Sequence, residues 1–295
     1  MKYVVTGSLG NISQPLTLAL VKAGHEVTVI TSKTSNATAI EALGAKAAVG
    51  SVEDVPFLGQ TFSGADAVYT MIPPNFAATD WKQWIAQIGS NYAAAIRAAG
   101  VKKVVNLSSV GAHMPDGAGP VSGLHFAEKA LNAIPNVNIK HLRPGYFYQN
   151  FLSQISMIKH LGFMGGNFGS DAVPFPIVST NDIAAAAAEE LLQLSFTGHS
   201  VRYIASEEIT GSTAAKILGT AIGKPELQWV VFTDEQFLQG ALQAGLPEEI
   251  AKNFTEMGHA LHTGEMNAEY FTNQPQLSPT KLADFATAFA AAYHA

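Results

Sequence analysis

The chain has 295 residues, of which 47% are hydrophobic and 14% are charged, a composition typical of a folded protein with a buried sheet. Its formal net charge of −6 argues against a nucleic-acid-binding surface, and no apolar run is long enough to cross a membrane. The sequence contains no cysteine, which excludes disulfides and Cys-ligated metals. Because residues 1–7 carry no secretory signal, we expect a cytoplasmic protein.

The first half of the chain alternates short apolar runs with helical patterns. The runs typical of buried parallel strands are residues 2–6, 26–31, 45–50, 67–71, 103–108 and 138–142. The helical patterns between them are residues 14–23, 37–43, 79–99 and 122–133. Asp80 is a predicted helix start, and Gly24 and Gly100 are predicted helix ends. This alternation predicts an α/β protein with a Rossmann-type, doubly wound parallel sheet.

The second half has a more mixed pattern. Helices are predicted at residues 153–161, 183–194, 211–222, 234–262 and 280–293, and strands at 174–178, 201–204 and 227–232. Residues 162–169 are predicted to form a glycine-rich loop. We therefore divide the chain into a dinucleotide-binding core, residues 1–150, and a smaller substrate-side lobe, residues 151–295. The lobe is expected to pack partly on the core and not to form an independent domain.

A glycine-containing loop after the first strand is the strongest single motif. It reads Thr6-Gly7-Ser8-Leu9-Gly10-Asn11-Ile12-Ser13 and leads directly into a predicted helix. Gly7 suits a tight turn, and Gly10 permits close approach of a pyrophosphate to the backbone amides at the helix start. Ser13 stands where a third glycine is usual, and its hydroxyl is a further candidate donor to phosphate. The loop predicts a dinucleotide site.

The end of the second strand bears on the choice of dinucleotide. It reads Thr31-Ser32-Lys33 and has no carboxylate to accept from a ribose 2′-hydroxyl, as an NAD site usually does. Two hydroxyls and an ammonium group suit a 2′-phosphate, so NADP(H) is predicted in preference to NAD(H). The alternative is that Lys33 is a solvated surface lysine. Ser51, just beyond the third strand, is a further predicted cofactor-binding residue.

The usual acid of short-chain dehydrogenases is missing. None of the eight tyrosines has a lysine four residues later, the pairing that lowers a catalytic tyrosine pKa. His125 and Lys129 have this spacing, so His125 is a candidate acid, the alternative being a packed or capping helix residue. Ser108 and Ser109 end the fifth strand, where such enzymes hold a substrate-orienting serine. His259 and His262 are interpreted as positions on an amphipathic helix, and no metal site is predicted.

Four motifs in chain order resemble the NmrA-like branch of the atypical short-chain dehydrogenases. They are residues 6–10, 107–112 (Leu-Ser-Ser-Val-Gly-Ala), 128–131 (Glu-Lys-Ala-Leu) and 143–151 (Arg-Pro-Gly-Tyr-Phe-Tyr-Gln-Asn-Phe). The resemblance implies that Met71-Ile72-Pro73 lines the ribose and nicotinamide and that Pro144-Gly145-Tyr146 flanks the nicotinamide. Asn150 matches an asparagine of the family. Many members carry a lysine or histidine at the position of Leu124, and His125 is one residue away from it.

Two classes of function remain open at this point. The family includes NADPH-dependent quinone and dye reductases, which implies hydride transfer to a planar small molecule by a monomer or homodimer, with Tyr146 and Asn150 near the substrate. It also includes regulators that bind the dinucleotide without turnover, which implies a redox sensor acting through a protein partner. NADPH oxidation with a panel of quinones distinguishes the two classes.

Overall fold

The computed structural model describes all 295 residues, in which twelve strands and twelve α-helices occur. The strands are β1 Lys2–Val5, β2 Glu26–Thr31, β3 Lys46–Val49, β4 Ala67–Thr70, β5 Lys103–Leu107, β6 Asn138–Pro144, β7 Tyr146–Phe147, β8 Met164–Gly166, β9 Phe175–Val178, β10 His199–Ile204, β11 Glu207–Ile209 and β12 Trp229–Val231. The helices are α1 Ser13–Lys22, α2 Ala37–Ala42, α3 Val55–Phe62, α4 Trp81–Ala99, α5 Pro120–Asn132, α6 Gln154–Leu161, α7 Thr180–Gln193, α8 Gly211–Ala221, α9 Asp234–Gln243, α10 Glu248–Thr263, α11 Ala268–Thr272 and α12 Leu282–His294.

Seven parallel strands form the central sheet, in the order β10-β6-β5-β4-β1-β2-β3. Strand β1 lies between β2 and β4, with Val4 opposite Thr28 on one side and Val68 on the other. The chain progresses outward in both directions from β1, so the carboxyl ends of β1 and β4 border the crevice where such sheets bind ligands. This topology confirms the predicted Rossmann-type α/β fold.

Helices cover both faces of the sheet because successive strand residues point to opposite sides. Val5 packs with Leu16 of α1 and Ile183 of α7 in one buried cluster. Val4 faces the other side, where residues of α3, α4 and α5 form a second cluster. Of the predicted helix boundaries, Asp80 caps α4 by accepting from the Gln83 amide at 2.9 Å. Gly100 ends α4 in the left-handed conformation, as predicted.

The second half of the chain adds a third cluster beside the sheet. Two small sheets, β11-β9-β7 and β12-β8, pack with α8 and α12 around buried aromatic side chains such as Phe175, Trp229 and Phe289. Strand β10 belongs to this half in sequence but pairs in parallel with β6 at the edge of the central sheet. The division of the chain at residue 150 stays a prediction.

Several elements differ from the sequence expectation. The central sheet has seven strands and not six, because β10 joins it. Helix α3 was not predicted, since Pro56 and Gly59 obscure its pattern, yet Asp54 caps it by accepting from the Phe57 amide. The expected loop at 162–169 contains strand β8, and the expected helix at 234–262 is broken into α9 and α10 around Gly245. None of the helices has the length and hydropathy needed to cross a bilayer.

Candidate cofactor and substrate site

The loop between β1 and α1 has the geometry that its glycine pattern predicts. Gly7 has a φ of +93°, and a Cβ there would lie 2.3 Å from the Ser13 hydroxyl oxygen and 2.9 Å from Met71 Cγ. No side chain therefore fits at this position. The Ser13 hydroxyl donates to the Thr6 carbonyl at 2.8 Å and is buried, so it closes the turn and is not available to phosphate.

The outer surface of this loop presents unpaired backbone donors. The amides of Leu9, Asn11 and Ile12 donate to no backbone carbonyl, and no side chain caps the start of α1. Gly10 is exposed, and the nearest neighbour to a Cβ on it would be the Gly7 carbonyl oxygen at 3.0 Å. Free amides at a helix start beside an uncovered glycine fit the negatively charged pyrophosphate of a dinucleotide.

Thr6 connects the loop to the end of β4. Its hydroxyl oxygen accepts from the Met71 amide at 2.8 Å, and the Tyr92 hydroxyl donates to the Met71 carbonyl at 2.7 Å. Met71 is thereby placed against Gly7, while the following Ile72 and Pro73 are half-buried. The structure brings Met71 next to the glycine loop at the carboxyl end of the sheet, and the role of residues 71–73 in lining the cofactor stays a prediction.

At the end of β2, the predicted residues divide into two groups. Thr31 is buried, and its hydroxyl oxygen accepts from the Ser8 hydroxyl at 2.9 Å and from the Asn36 amide at 3.3 Å. It therefore holds the loop in place, whereas Ser32 and Lys33 are exposed beside it. Asn36 also donates to Ser8 at 2.9 Å and was missed, because Ser8 lies 28 residues earlier in the chain.

Ser51 is exposed beyond the end of β3, next to β2 in the sheet. Its hydroxyl oxygen accepts from the Glu53 amide at 3.1 Å, an interaction within its own turn. The Gly50 amide donates to the Thr31 carbonyl at 2.9 Å, which joins this turn to the end of β2. The structure therefore places Ser51 near the predicted cofactor residues of β2.

Ser108 is engaged by the protein at the end of β5. Its hydroxyl donates to Glu128 at 2.5 Å, and Glu128 also pairs with Arg143 at 2.7 Å inside the protein. Although burial acts to raise the pKa of Glu128, the hydrogen bonds and charge of Arg143 hold that pKa below its usual range. Ser108 therefore orders a buried ion pair, while Ser109 next to it is half-buried.

Pro144 and Gly145 are buried where β6 ends. The glycine is required by packing alone, because a Cβ at Gly145 would lie 2.4 Å from the Pro176 carbonyl oxygen of β9. Its amide donates to the Ile204 carbonyl of β10. This close contact directs the chain from the sheet edge into Tyr146.

A cavity of about 1110 Å³ begins at Tyr146 and Asn150. None of its lining residues is Asp, Glu, Lys or Arg, and its one histidine is His160. Its aromatic side chains are Phe76, Tyr146, Phe163, Phe168, Phe232, Phe237 and Phe254. Phe76 follows β4 and Tyr146 follows β6, so the cavity adjoins the strand ends that carry Met71 and Gly145. An uncharged aromatic cavity at this edge suits a planar apolar molecule.

Tyr146 is the hydroxyl-bearing aromatic residue of this cavity. Its ring packs against Phe151, Phe168 and Phe175 with centroid separations of 5.3, 5.6 and 5.8 Å. Burial raises the pKa of Tyr146, so the phenol is a neutral donor at physiological pH. Its hydroxyl makes no hydrogen bond within the protein. The side chain is thus held in place with its donor unused.

The structure does not bring His125 to this cavity. The side chain lies on α5, and its Nδ1 is 3.0 Å from the Ala112 carbonyl oxygen. Its ring meets the neighbouring Phe126 edge-on, and it is not among the cavity-lining residues. The expected proton donor is therefore separated from Tyr146 and Asn150, which do share the cavity.

The model of the NmrA-like family matches residues 2–286. The chain belongs to the NmrA-like family. A search of curated proteins finds no match.

Several solved structures share the fold of this NmrA-like protein. An NADPH-dependent quinone oxidoreductase from Escherichia coli, complexed with NADPH, has a TM-score of 0.82 at 20% identity, covering 97% of this chain and 99% of its own. A triphenylmethane reductase from Citrobacter sp., complexed with NADP(H), has a TM-score of 0.76 at 19% identity, covering 96% and 99%. A nucleoside-diphosphate-sugar epimerase from Staphylococcus aureus has a TM-score of 0.78 at 14% identity, covering 97% and 100%.

Proposed function

We propose that this protein is an NADP(H)-dependent reductase that delivers a hydride to a planar, uncharged electrophile of the quinone type. The observation that carries the proposal is the uncharged aromatic cavity, which adjoins the strand ends predicted to flank the nicotinamide. A sugar nucleotide would bring phosphate charges to this cavity, which offers no lysine or arginine to pair with them. A neutral planar molecule brings no charge that would have to be buried without a partner.

Separate parts of the loop region hold separate parts of the dinucleotide. The free amides of Leu9, Asn11 and Ile12 bind the pyrophosphate, and Gly10 leaves room for it. Ser32 and Lys33 bind the 2′-phosphate, held in position through Thr31. Met71 to Pro73, with Pro144 and Gly145, border the nicotinamide end. The quinone and triphenylmethane reductases that share the fold were both crystallised with this type of cofactor.

The bound dinucleotide supplies the hydride, which is two electrons with one proton. A quinone needs one further proton to leave as the hydroquinone, and solvent supplies it. Tyr146 donates a hydrogen bond from its free hydroxyl to the carbonyl oxygen on which negative charge develops, and Asn150 orients the ring. The aromatic side chains would stack on the planar substrate and orient it toward the bound cofactor, and such orientation lowers the barrier to hydride transfer.

The decisive test is oxidation of NADPH, followed by its ultraviolet absorbance, with 2-methyl-1,4-naphthoquinone as the acceptor. We expect turnover with NADPH and formation of the hydroquinone. Binding of NADPH with no oxidation by any quinone, dye or enone would exclude the reductase and favour the sensor.

The cofactor half of the proposal is tested separately with Gly10→Val. Because its side chain would occupy the space required by the pyrophosphate, we expect loss of NADPH binding by calorimetry, while a cooperative thermal unfolding transition shows that the variant is still folded. Retained affinity in a folded variant would place the cofactor elsewhere.

A further inference from the structure

The cavity extends well beyond Tyr146, between helices α6 and α9. Residues from Ser153 to Leu161 line it along α6, and residues from Gln236 to Ala244 line it along α9. At a rise of about 1.5 Å per residue, each helix borders the cleft for roughly 12 Å. The volume of about 1110 Å³ also exceeds the roughly 300–1,000 Å³ of ordinary small-molecule pockets. A planar ring system at Tyr146 therefore fills one end only.

The walls of this α6–α9 cleft are largely hydrocarbon. Met157 and Leu161 face it from α6, and Phe237 and Ala241 face it from α9. Helix α9 contains no fully buried residue, and the Phe237 and Ala241 side chains that it turns to the cleft are only half-buried. Apolar surface left open in this way is stabilised by an apolar ligand.

Three of the amide side chains along the same walls are bonded within the protein. The Gln154 side chain accepts from the Gly165 amide at 2.9 Å, and the Gln236 side chain accepts from the Thr233 amide at 3.0 Å. Asn167 donates to Asp234 at 2.7 Å and to the Thr255 carbonyl at 2.8 Å. These hydrogen bonds fix the walls. Asn150, Ser156, His160 and Gln243 also line the cavity and make no side-chain hydrogen bond, and the buried Asn167 Oδ1 has no partner.

We infer that the α6–α9 cleft binds a hydrocarbon chain carried by the substrate. The substrate is then a molecule of two parts, a planar electrophilic head at Tyr146 and an apolar chain between the two helices. This inference rests on the proposed reductase function. The chain is remote from the reacting carbonyl, so its burial strengthens binding equally in the ground state and transition state and lowers KM with little change in kcat.

Gly240 gives direct experimental access to the cleft. It lies inside α9 and lines the cavity, and a Cβ placed on it would meet no atom within 4 Å. A larger side chain therefore enters the cleft without colliding with the protein. Gly59, inside α3, has equally open surroundings and does not line the cavity, so it provides a matched control.

The experiment compares 2-methyl-1,4-naphthoquinone with 2-decyl-1,4-naphthoquinone. Dissociation constants are measured by calorimetry in the presence of NADP⁺, where no turnover occurs, and KM and kcat are measured with NADPH. We expect the decyl compound to bind at least about tenfold more tightly, because buried methylenes each add to affinity. The KM of the decyl compound should be lower than that of the methyl compound by a similar factor, and the two kcat values should agree within about twofold.

Gly240→Leu should remove this preference, whereas Gly59→Leu should preserve it. Equal affinity of both quinones for the wild type overturns the inference while leaving the reductase intact. A preference that survives Gly240→Leu unchanged also overturns it, by locating the chain elsewhere. If neither quinone binds or is reduced, the proposed function and this inference fail together.

Discussion

At the residue scale, we propose that the choice of cofactor depends on the exposed side chain of Lys33. Lys33 follows Thr31, which is buried and bonded to Ser8 and Asn36, so the backbone that carries the lysine is well positioned. A charged hydrogen bond contributes roughly 1.5–3 kcal/mol, which is about tenfold to hundredfold in affinity.

Lys33→Ala should therefore weaken NADPH binding by roughly tenfold to hundredfold and leave NADH binding nearly unchanged. Calorimetric titration of both cofactors measures this directly. Lys22→Ala, at the far end of α1, serves as the control and should change neither affinity. An equal loss for both cofactors would mean that Lys33 does not contact the 2′-phosphate.

Tyr146 is the residue expected to act on the substrate. Tyr146→Phe removes the one free hydroxyl of the aromatic cluster and preserves its packing, so we expect kcat/KM for a quinone to fall about tenfold to hundredfold. The dissociation constant for NADPH should stay within about twofold. Tyr293→Phe, on α12 outside the cavity, is the matched substitution and should leave turnover unchanged.

The variant His125→Ala distinguishes between Tyr146 and His125 as the group that donates to the substrate carbonyl. Because the ring contacts the Ala112 carbonyl and does not line the cavity, turnover should stay within about twofold of the wild type. A loss of tenfold or more, with NADPH affinity unchanged, would return the proton-donor role to His125.

At the element scale, the packing of α4 on α5 positions the buried ion pair beneath the site. The two helices approach so closely that a Cβ on Gly89 would lie 2.3 Å from Ala127 Cβ. Helix α5 carries Glu128 toward Arg143 and Ser108. The separation of these helices therefore sets the position of the β5 and β6 ends.

Gly89→Ala should lower the free energy of unfolding by about 1–3 kcal/mol, since the added methyl group must displace α5. Urea denaturation measures the change. Gly59→Ala is the control, because its surroundings are open and a helical alanine is favoured over glycine, so stability should stay the same or rise slightly. Equal free energies of unfolding for the two variants would show that the contact between position 89 and Ala127 relaxes easily.

At the scale of the whole molecule, a buried histidine couples stability to pH. His141 lies inside the protein between Asn106 and Asn132, with Glu128 and Arg143 nearby. Burial lowers the pKa of His141 to about 4. The His141 ring binds a proton near pH 6.5 in the unfolded chain but only near pH 4 in the folded chain. The free energy of unfolding is therefore highest above pH 6.5 and declines as the pH falls toward 4.

The decline from His141 should amount to about 3 kcal/mol between pH 6.5 and 4, measured as the free energy of unfolding in urea at each pH. Protonation of Glu128 adds a further loss at lower pH, because the pKa of that carboxyl is held below its usual range. His141→Gln should flatten the slope between pH 6.5 and 4. The exposed His262→Gln should not, and an identical slope in all three proteins would contradict the prediction.

The sequence by itself determined the elements whose signals are local. Hydrophobic runs located the first six central strands within about two residues, and Asp80 and Gly100 marked the ends of a helix by their own backbone chemistry. The loop from Thr6 to Ile12 was recognisable for the same reason, since a positive φ at Gly7 limits what one position accepts. The motifs, together, also led to the correct family.

Tertiary structure decided what depends on contacts between distant segments. The pairing of β10 with β6, the closure of Ser108 onto Glu128, and the position of Asn36 beside Ser8 all join residues that no local pattern relates. The cavity itself is assembled from segments between Phe76 and Gly258, so its uncharged surface is visible only once the chain has folded. The reason for a glycine at position 145 is visible only in the folded structure, because the carbonyl that excludes a side chain belongs to another strand.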